Sequence, residues 1–354
     1  MLKKYRRYLP LPENVEIRGL GEGNTPLVKS DRFGSLYFKM EQLNPTGSFK
    51  DRFAATETAL IKAAGIGAFI ATSSGNTGAA LSAYAARYGL RCLLFVNEIT
   101  PENKLKQMLI YGAKVFRVKD FGITSELSAP IFDRLKELAE ESGTRLVISA
   151  YKYSPEGMEG VKTIAYEIVE QLGKAPDVVF APVGGGGLLS AIGRGFADLK
   201  QNGVIAKVPK LAAVQPELND TVVTAFANGS SSATEVQTTT SISGLAVQTD
   251  IDATRALLSV KDSCGFGVTV SDDEIRSVQR SLCEEEGIYV EPAGATSVAG
   301  YRKAVSLGMV SDDERAVCVL TGHGLKDTSA NSGGGSSVSY IDITSITKEL
   351  IGAN

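Results

Sequence analysis

The chain reads as an α/β protein of two domains, each with a parallel or mostly parallel sheet flanked by helices. Three observations predict this class. The 354 residues are about twice the usual length of one domain. Short apolar runs alternate with helix-period segments through most of that length. The strand, helix, strand order then repeats, which requires parallel pairing through right-handed crossovers.

Seven runs have the length and apolar content of strands: AFIATS (68–73), RCLLFV (91–96), KVFRVK (114–119), RLVISA (145–150), DVVFAPV (177–183), KLAAVQ (210–215) and RAVCVLT (315–321). Helices lie between them. Phe53, Leu60, Ile61 and Ala64 recur at helical spacing, and Asn76 is expected to cap the run GAALSAYAARYG, which stops at Gly89. Leu188, Ile192, Phe196 and Leu199 mark one face of a further helix. NGSSSATEVQTTT (228–240) and TSANSGGGSSVS (328–339) are small and polar, so each is expected to be a surface loop.

Composition excludes several classes of function. With 22% charged residues and a net charge of -3, the chain offers no basic field to nucleic acid or to an anionic membrane. Cys92, Cys264, Cys283 and Cys318 are far apart and lack CxxC spacing, which argues against a disulfide frame or zinc site. Three of them sit in apolar or helical contexts and read as buried thiols, so a reducing cytoplasm is expected. The start, MLKKYRRYLPLPENVEI, has the cations of an export signal without its apolar core. No run reaches the roughly 18 apolar residues of a membrane span.

Four stretches carry chemistry. In APVGGGGLLSAIGRGF (181–196) an apolar strand runs into four glycines and then a helix. Backbone N–H groups converge there without side-chain obstruction, and the helix dipole adds about half a positive charge, which suits a phosphate dianion. A tight turn with no ligand is the alternative for this stretch alone. It is not a P-loop, and Ser190 stands where GxGxxG needs its third glycine, so a nicotinamide dehydrogenase has little support.

SSGNTGAALSAYAARYG (73–89) delivers Ser73, Ser74, Gly75, Asn76 and Thr77 to another helix start, a patch fit for a carboxylate; capping by Ser74 or Asn76 would explain one of the five. Lys50, in NPTGSFKDR (44–52), is either a solvated helix-start cation or a nucleophile whose ammonium is disfavoured by desolvation. VLTGHGLKD (319–327) ends a strand at Thr321 and holds His323, the only histidine. No Ser/Asp partner in the sequence makes a hydrolase triad of it.

Together and in this order, GEGNTPL (21–27), PTGSFKDR, SSGNTG, PVGGGG, EPAGATSVAG (291–300) and LTGHGLKD resemble the pyridoxal-phosphate enzymes of the tryptophan synthase β-like superfamily, fold type II. The resemblance covers nearly the whole chain. It implies pyridoxal 5′-phosphate as cofactor, with Lys50 as its Schiff-base lysine and Asn76 bonded to its 3′-oxygen. Gly184, Gly185, Gly186 and Gly187 then cradle its phosphate, and Thr321 meets the pyridine nitrogen. Ser73, Ser74, Gly75, Asn76 and Thr77 receive the substrate carboxylate. A hydroxyl at the ring nitrogen does not enforce protonation as an aspartate would, which favours elimination and replacement over transamination. Lys50, displaced by the substrate amine, becomes a free base beside Cα, with Ser48 expected to help position it. A non-catalytic amino-acid sensor on this fold would be expected to lack that lysine.

Within the superfamily, LGEGNTPLV, PTGSFKDR, EGVKTIAYEI (159–168) and LTGHGLKD look like threonine synthase, which converts O-phosphohomoserine and water to threonine and phosphate. The chain departs from that pattern in having PVGGGG in place of a PxGNAGN loop, and Gly157 in place of an arginine shortly before EGxKT. PVGGGGLLSAI, SISGLAV (241–247) and EPAGA instead resemble serine/threonine dehydratases. A β-replacement enzyme, such as a cysteate synthase acting on phosphoserine, is the further alternative. The resemblance also implies a large cofactor domain from 1–36 and 151–354, a small mobile domain from 37–150 that closes on substrate carboxylate, and a homodimer formed by the large domain.

Overall fold

The computed structural model describes residues 1–327 apart from 123, 218 and 312. The polar stretch at 328–339 lies outside the described residues. The chain enters through β1 (Leu27–Lys29) and β2 (Leu36–Lys39), then helix α1 (Lys50–Ala63). A run of β3 (Ala68–Ala71), α2 (Asn76–Tyr88), β4 (Arg91–Asn97), α3 (Glu102–Ile110), β5 (Lys114–Val118), α4 (Ser125–Glu141) and β6 (Arg145–Val147) follows. The remainder comprises α5 (Pro155–Met158), α6 (Thr163–Leu172), β7 (Val178–Pro182), α7 (Gly187–Gln201), β8 (Lys210–Pro216), α8 (Val223–Ala227), α9 (Ala253–Asp262), β9 (Phe266–Val270), α10 (Asp272–Glu286), α11 (Pro292–Ser306) and β10 (Ala316–Val319).

Two sheets result. One has six strands in the order β1-β2-β10-β7-β8-β9, the other four in the order β5-β4-β3-β6. All pairings are parallel except β1 with β2. The central strands β3, β7 and β10 are buried along their whole length, as parallel strands covered by helices on both faces must be. All seven sequence-predicted strands form. β1, β2 and β9 were not anticipated, because β1 is a half-exposed edge, Lys39 interrupts the apolar run of β2, and Gly267 and Thr269 dilute β9. The boundary expected after residue 36 falls inside β2, which pairs between β1 and β10 in the six-stranded sheet.

The 228–240 segment forms neither helix nor strand, in keeping with its composition. Cys92 and Cys318 are buried, whereas Cys283 is half-buried and Cys264 exposed, so two thiols rather than three are fully enclosed; all four are free. No described helix is long and apolar enough to cross a membrane.

Four buried charges tie α1 to the six-stranded sheet. Arg52 donates through Nε and Nη2 to Glu41 at 2.8 and 2.7 Å, and through Nη1 and Nη2 to Glu167 at 2.8 and 2.7 Å. Lys39 donates to Glu167 at 2.7 Å, to the Thr25 carbonyl at 2.8 Å and to Gln171 at 2.9 Å. Burial alone would push both carboxyls up, yet Arg52 and Lys39 hold Glu41 and Glu167 below the usual carboxylate range. The charges cancel and the two forks are filled, which is what makes burial of so polar a cluster tolerable.

Arg52→Ala removes one partner and leaves two buried carboxylates with Lys39 alone. It is expected to destabilise the fold by about 3–5 kcal/mol. The urea unfolding midpoint checks this; a variant within about 1 kcal/mol of wild type by linear extrapolation contradicts it.

Candidate active site

The turns at the carboxyl ends of β3, in the four-stranded sheet, and of β7 and β10, neighbours in the six-stranded one, carry 73–77, 184–187 and Thr321, the places where α/β sheets bind ligands. These turns and Lys50 line one cleft of about 1390 Å³. Of the residues singled out from the sequence, Ser48 does not border it, whereas Lys50, Ser73, Ser74, Gly75, Asn76, Thr77, Gly184, Gly185, Gly186, Gly187 and Thr321 do.

Lys50 is the first residue of α1, where the helix dipole opposes its cation. Its Nζ donates to Ser149 Oγ at 2.8 Å, and that hydroxyl in turn lies 2.8 Å from Thr77 Oγ1. The amine also stands 4.6 Å from the Phe49 ring centre. Desolvation lowers its pKa to about 8, against the opposing pull of the Asp252 and Glu291 carboxylates. Ser48 was expected to position the amine. Its hydroxyl instead accepts from the backbone N–H of Lys50 at 3.4 Å, because Ser48 faces the helix start rather than the cleft. Ser149 is the neighbour that sequence reasoning missed: the run RLVISA reads as strand to its end, whereas β6 stops at Val147 and frees the serine.

The tetraglycine turn is shaped by close approach. Gly186 has φ +94°, and a Cβ there would lie 2.4 Å from the Asp252 carbonyl oxygen. At Gly187 a Cβ would meet Met158 at 2.9 Å. Asp252 N–H donates to the Gly185 carbonyl at 2.8 Å, and the Asp252 carboxylate is taken up by the N–H groups of Tyr151 and Lys152 at 2.7 and 3.1 Å. The turn is thus braced from behind. Among the described residues, none accepts a bond from the N–H groups of Gly184 to Gly187. Four unpaired donors at the start of α7 form a cradle that a phosphate fits.

Asn76 does not cap α2. The cap position belongs to Gly75, and the Asn76 amide, one residue into the helix, donates to both oxygens of Glu291 at 3.0 Å. Ser74 makes no cap either; Ser73 Oγ accepts from the N–H of Gly75 at 3.2 Å. Thr321 Oγ1 donates to Glu291 Oε1 at 3.3 Å, so Glu291 joins the two residues expected at opposite sides of a pyridine ring. Burial pushes the Glu291 carboxyl above the usual range, and the bonds from Asn76 and Thr321 offset this only in part. Glu291 went unassigned although EPAGA was singled out, because a glutamate before a helix-starting proline reads as a helix terminus. His323 also borders the cleft, with its Nδ1 accepting from Leu325 N–H at 3.2 Å. At Gly157 a Cβ would lie 2.4 Å from Glu57 Oε2 and 2.9 Å from Phe53, so a side chain there would need those two side chains of α1 to move.

Residues 19–322 match the family described as pyridoxal-phosphate dependent enzyme. The chain belongs to that family. It is 37% identical over 336 residues to the threonine synthase of Methanocaldococcus jannaschii, covering 92% of this chain and 81% of the relative. The threonine synthase of Methanosarcina acetivorans is 36% identical over 334 residues, with 92% and 80% covered. Among solved structures, the T.th. threonine deaminase superimposes with a TM-score of 0.70 at 25% identity, covering 84% of this chain and 92% of that one. The protein is a pyridoxal-phosphate-dependent lyase of fold type II.

The depressed pKa of Lys50 has a kinetic signature. Uptake of pyridoxal phosphate by the cofactor-free protein should quicken as pH rises through about 8 and then level, whereas an ordinary lysine would go on gaining to 10.5. Stopped-flow absorbance over a pH series measures it. In the same assay, Gly186→Ala should lose most cofactor affinity, since its Cβ meets the Asp252 backbone.

Proposed function

We propose that the protein is a threonine synthase-like lyase that converts O-phosphohomoserine and water to threonine and phosphate. The observation that carries the reading is its 37% and 36% identity to threonine synthases over 92% of the chain. Pyridoxal phosphate, when bound, supplies an electron sink that weakens the Cα–H bond of an attached amino acid. We assign its phosphate to the N–H groups of Gly184 to Gly187, its covalent attachment to Lys50, and its 3′-oxygen and ring nitrogen to Asn76 and Thr321.

The remaining work belongs to the chain. The hydroxyls and N–H groups of Ser73 to Thr77, at the positive end of α2, hold the substrate carboxylate. Lys50 Nζ, poised near neutrality by desolvation, accepts the Cα proton and returns it. Ser149 and Thr77 orient that amine through the 2.8 Å bonds they share. Carboxylate binding draws the four-stranded sheet and its helices toward the six-stranded one and excludes water. Glu291 would have to give up its bonds to Asn76 and Thr321 for these to reach the ring, so the cofactor competes with a carboxyl whose burial already favours its neutral form. A cytoplasmic homodimer completes the proposal; the four free thiols accord with a reducing compartment.

A serine/threonine dehydratase is the second reading. Gly157 favours it, since that position offers no basic side chain to a substrate phosphate. Offering O-phosphohomoserine, O-phosphoserine, threonine and serine in parallel separates the two. Phosphate release with threonine as product is expected; keto acid from serine or threonine instead moves the assignment to the dehydratase. Lys50→Ala should abolish turnover, and borohydride should fix pyridoxyl to the Lys50 peptide of wild type alone, a mass-spectrometric readout independent of activity.

A further inference from the structure

We propose that Lys104 and Ser243, facing each other across the cleft mouth, form the subsite for a phosphate at the distal end of the amino-acid substrate. This deepens the reading above and rests on it. With Gly157 and the tetraglycine turn offering no cationic side chain, a substrate phosphate needs another partner. Besides Lys50, three lysines line the cleft: Lys104, Lys106 and Lys326. Lys326 is already committed, donating to the Thr46 carbonyl at 2.7 Å and to Gln107 Oε1 at 2.8 Å, with Glu291 and Asp51 close enough to act on its charge. Lys106 is exposed.

Lys104 is different. Its Nζ donates to Ser243 Oγ at 3.0 Å, and among the described residues it forms no ion pair. A neutral hydroxyl leaves the ammonium without a counter-charge at the exposed mouth of the cleft. The hydroxyl keeps a proton to donate, so both groups can turn to one dianion. They also come from opposite sides. Lys104 lies in the first turn of α3, beside the four-stranded sheet, and Ser243 lies in the 241–247 loop of the larger sheet's side.

That loop is anchored. The Asp272 carboxylate accepts from Thr240 Oγ1 at 2.6 Å and from the N–H and Oγ of Ser241 at 2.7 Å each. Asn219 donates to the Leu245 carbonyl at 2.6 Å. The Gly244 carbonyl oxygen lies 3.0 Å from where a Cβ at Gly184 would be, so Ser243 is indexed against the glycine cradle. A phosphate bound here lies beyond the cradle rather than in it, and bridges the two sides of the cleft as it binds.

Calorimetric titration of the cofactor-loaded enzyme with inorganic phosphate tests this, because the cradle is then filled. Lys104→Met should weaken phosphate binding by about tenfold to a hundredfold, the loss of one charge-assisted contact. Ser243→Ala should weaken it less, and Lys104→Arg should retain it. L-serine, which carries no phosphate, should lose far less affinity in Lys104→Met than phosphate does. The proposal is overturned if wild type binds no phosphate, if Lys104→Met binds it unchanged, or if serine and phosphate weaken equally. Lys104-dependent binding without turnover of O-phosphohomoserine would uphold the subsite and sink the synthase reading; turnover with Lys104-independent binding would do the reverse.

Discussion

The guanidinium of Arg52 is the fixed point of this molecule. It lies two residues beyond Lys50 in the same helical turn, so whatever holds Arg52 also sets where the reactive amine begins. Its two forks reach Glu41, just after β2, and Glu167 on α6, while Lys39 closes the cluster from β2 itself. A lysine free to swing would have to be ordered each time the cofactor binds. Here the ordering is built into folding, at the expense of burying four charges that gain little over apolar packing but define one geometry.

Around that fixed point the cleft is assembled by near-contacts of backbone. Asp252 backs the tetraglycine turn so closely that Gly186 tolerates no Cβ, and the same residue's carboxylate takes the N–H groups of Tyr151 and Lys152. The result is a site whose glycine cradle is made of backbone donors, and in which the Asp252 and Glu291 carboxylates act on one desolvated amine, Lys50. Desolvation favours neutral Lys50 and Asp252 and Glu291 favour its cation, which leaves the amine near neutrality. A nucleophile and proton carrier needs that balance.

The departures from the threonine synthase pattern follow from packing. Gly157 is where α5 meets Phe53 and Glu57 of α1, and a side chain there would have to displace both. The proposed phosphate subsite lies instead at the cleft mouth, where Lys104 and Ser243 from the two sides already touch.

Much was legible in the residues alone. Apolar runs and glycine stops located seven strands and the helices of the site, because burial on both faces of a parallel sheet demands continuous apolar sequence. Turn chemistry pointed to Ser73 to Thr77 and Gly184 to Gly187, since glycines and hydroxyls clustered at strand ends suit anions, whereas Lys50 and Thr321 took their roles only from the family resemblance. Side-chain partners were not legible. Ser149 and Glu291 are ordinary residues in ordinary local contexts, and they matter only because the fold sets them 99 positions from Lys50 and 215 from Asn76 in sequence yet within hydrogen-bond reach. Local pattern determines which elements form and which loops bear chemistry; long-range packing alone decides which polar groups meet, how far an amine is desolvated, and hence what that chemistry does.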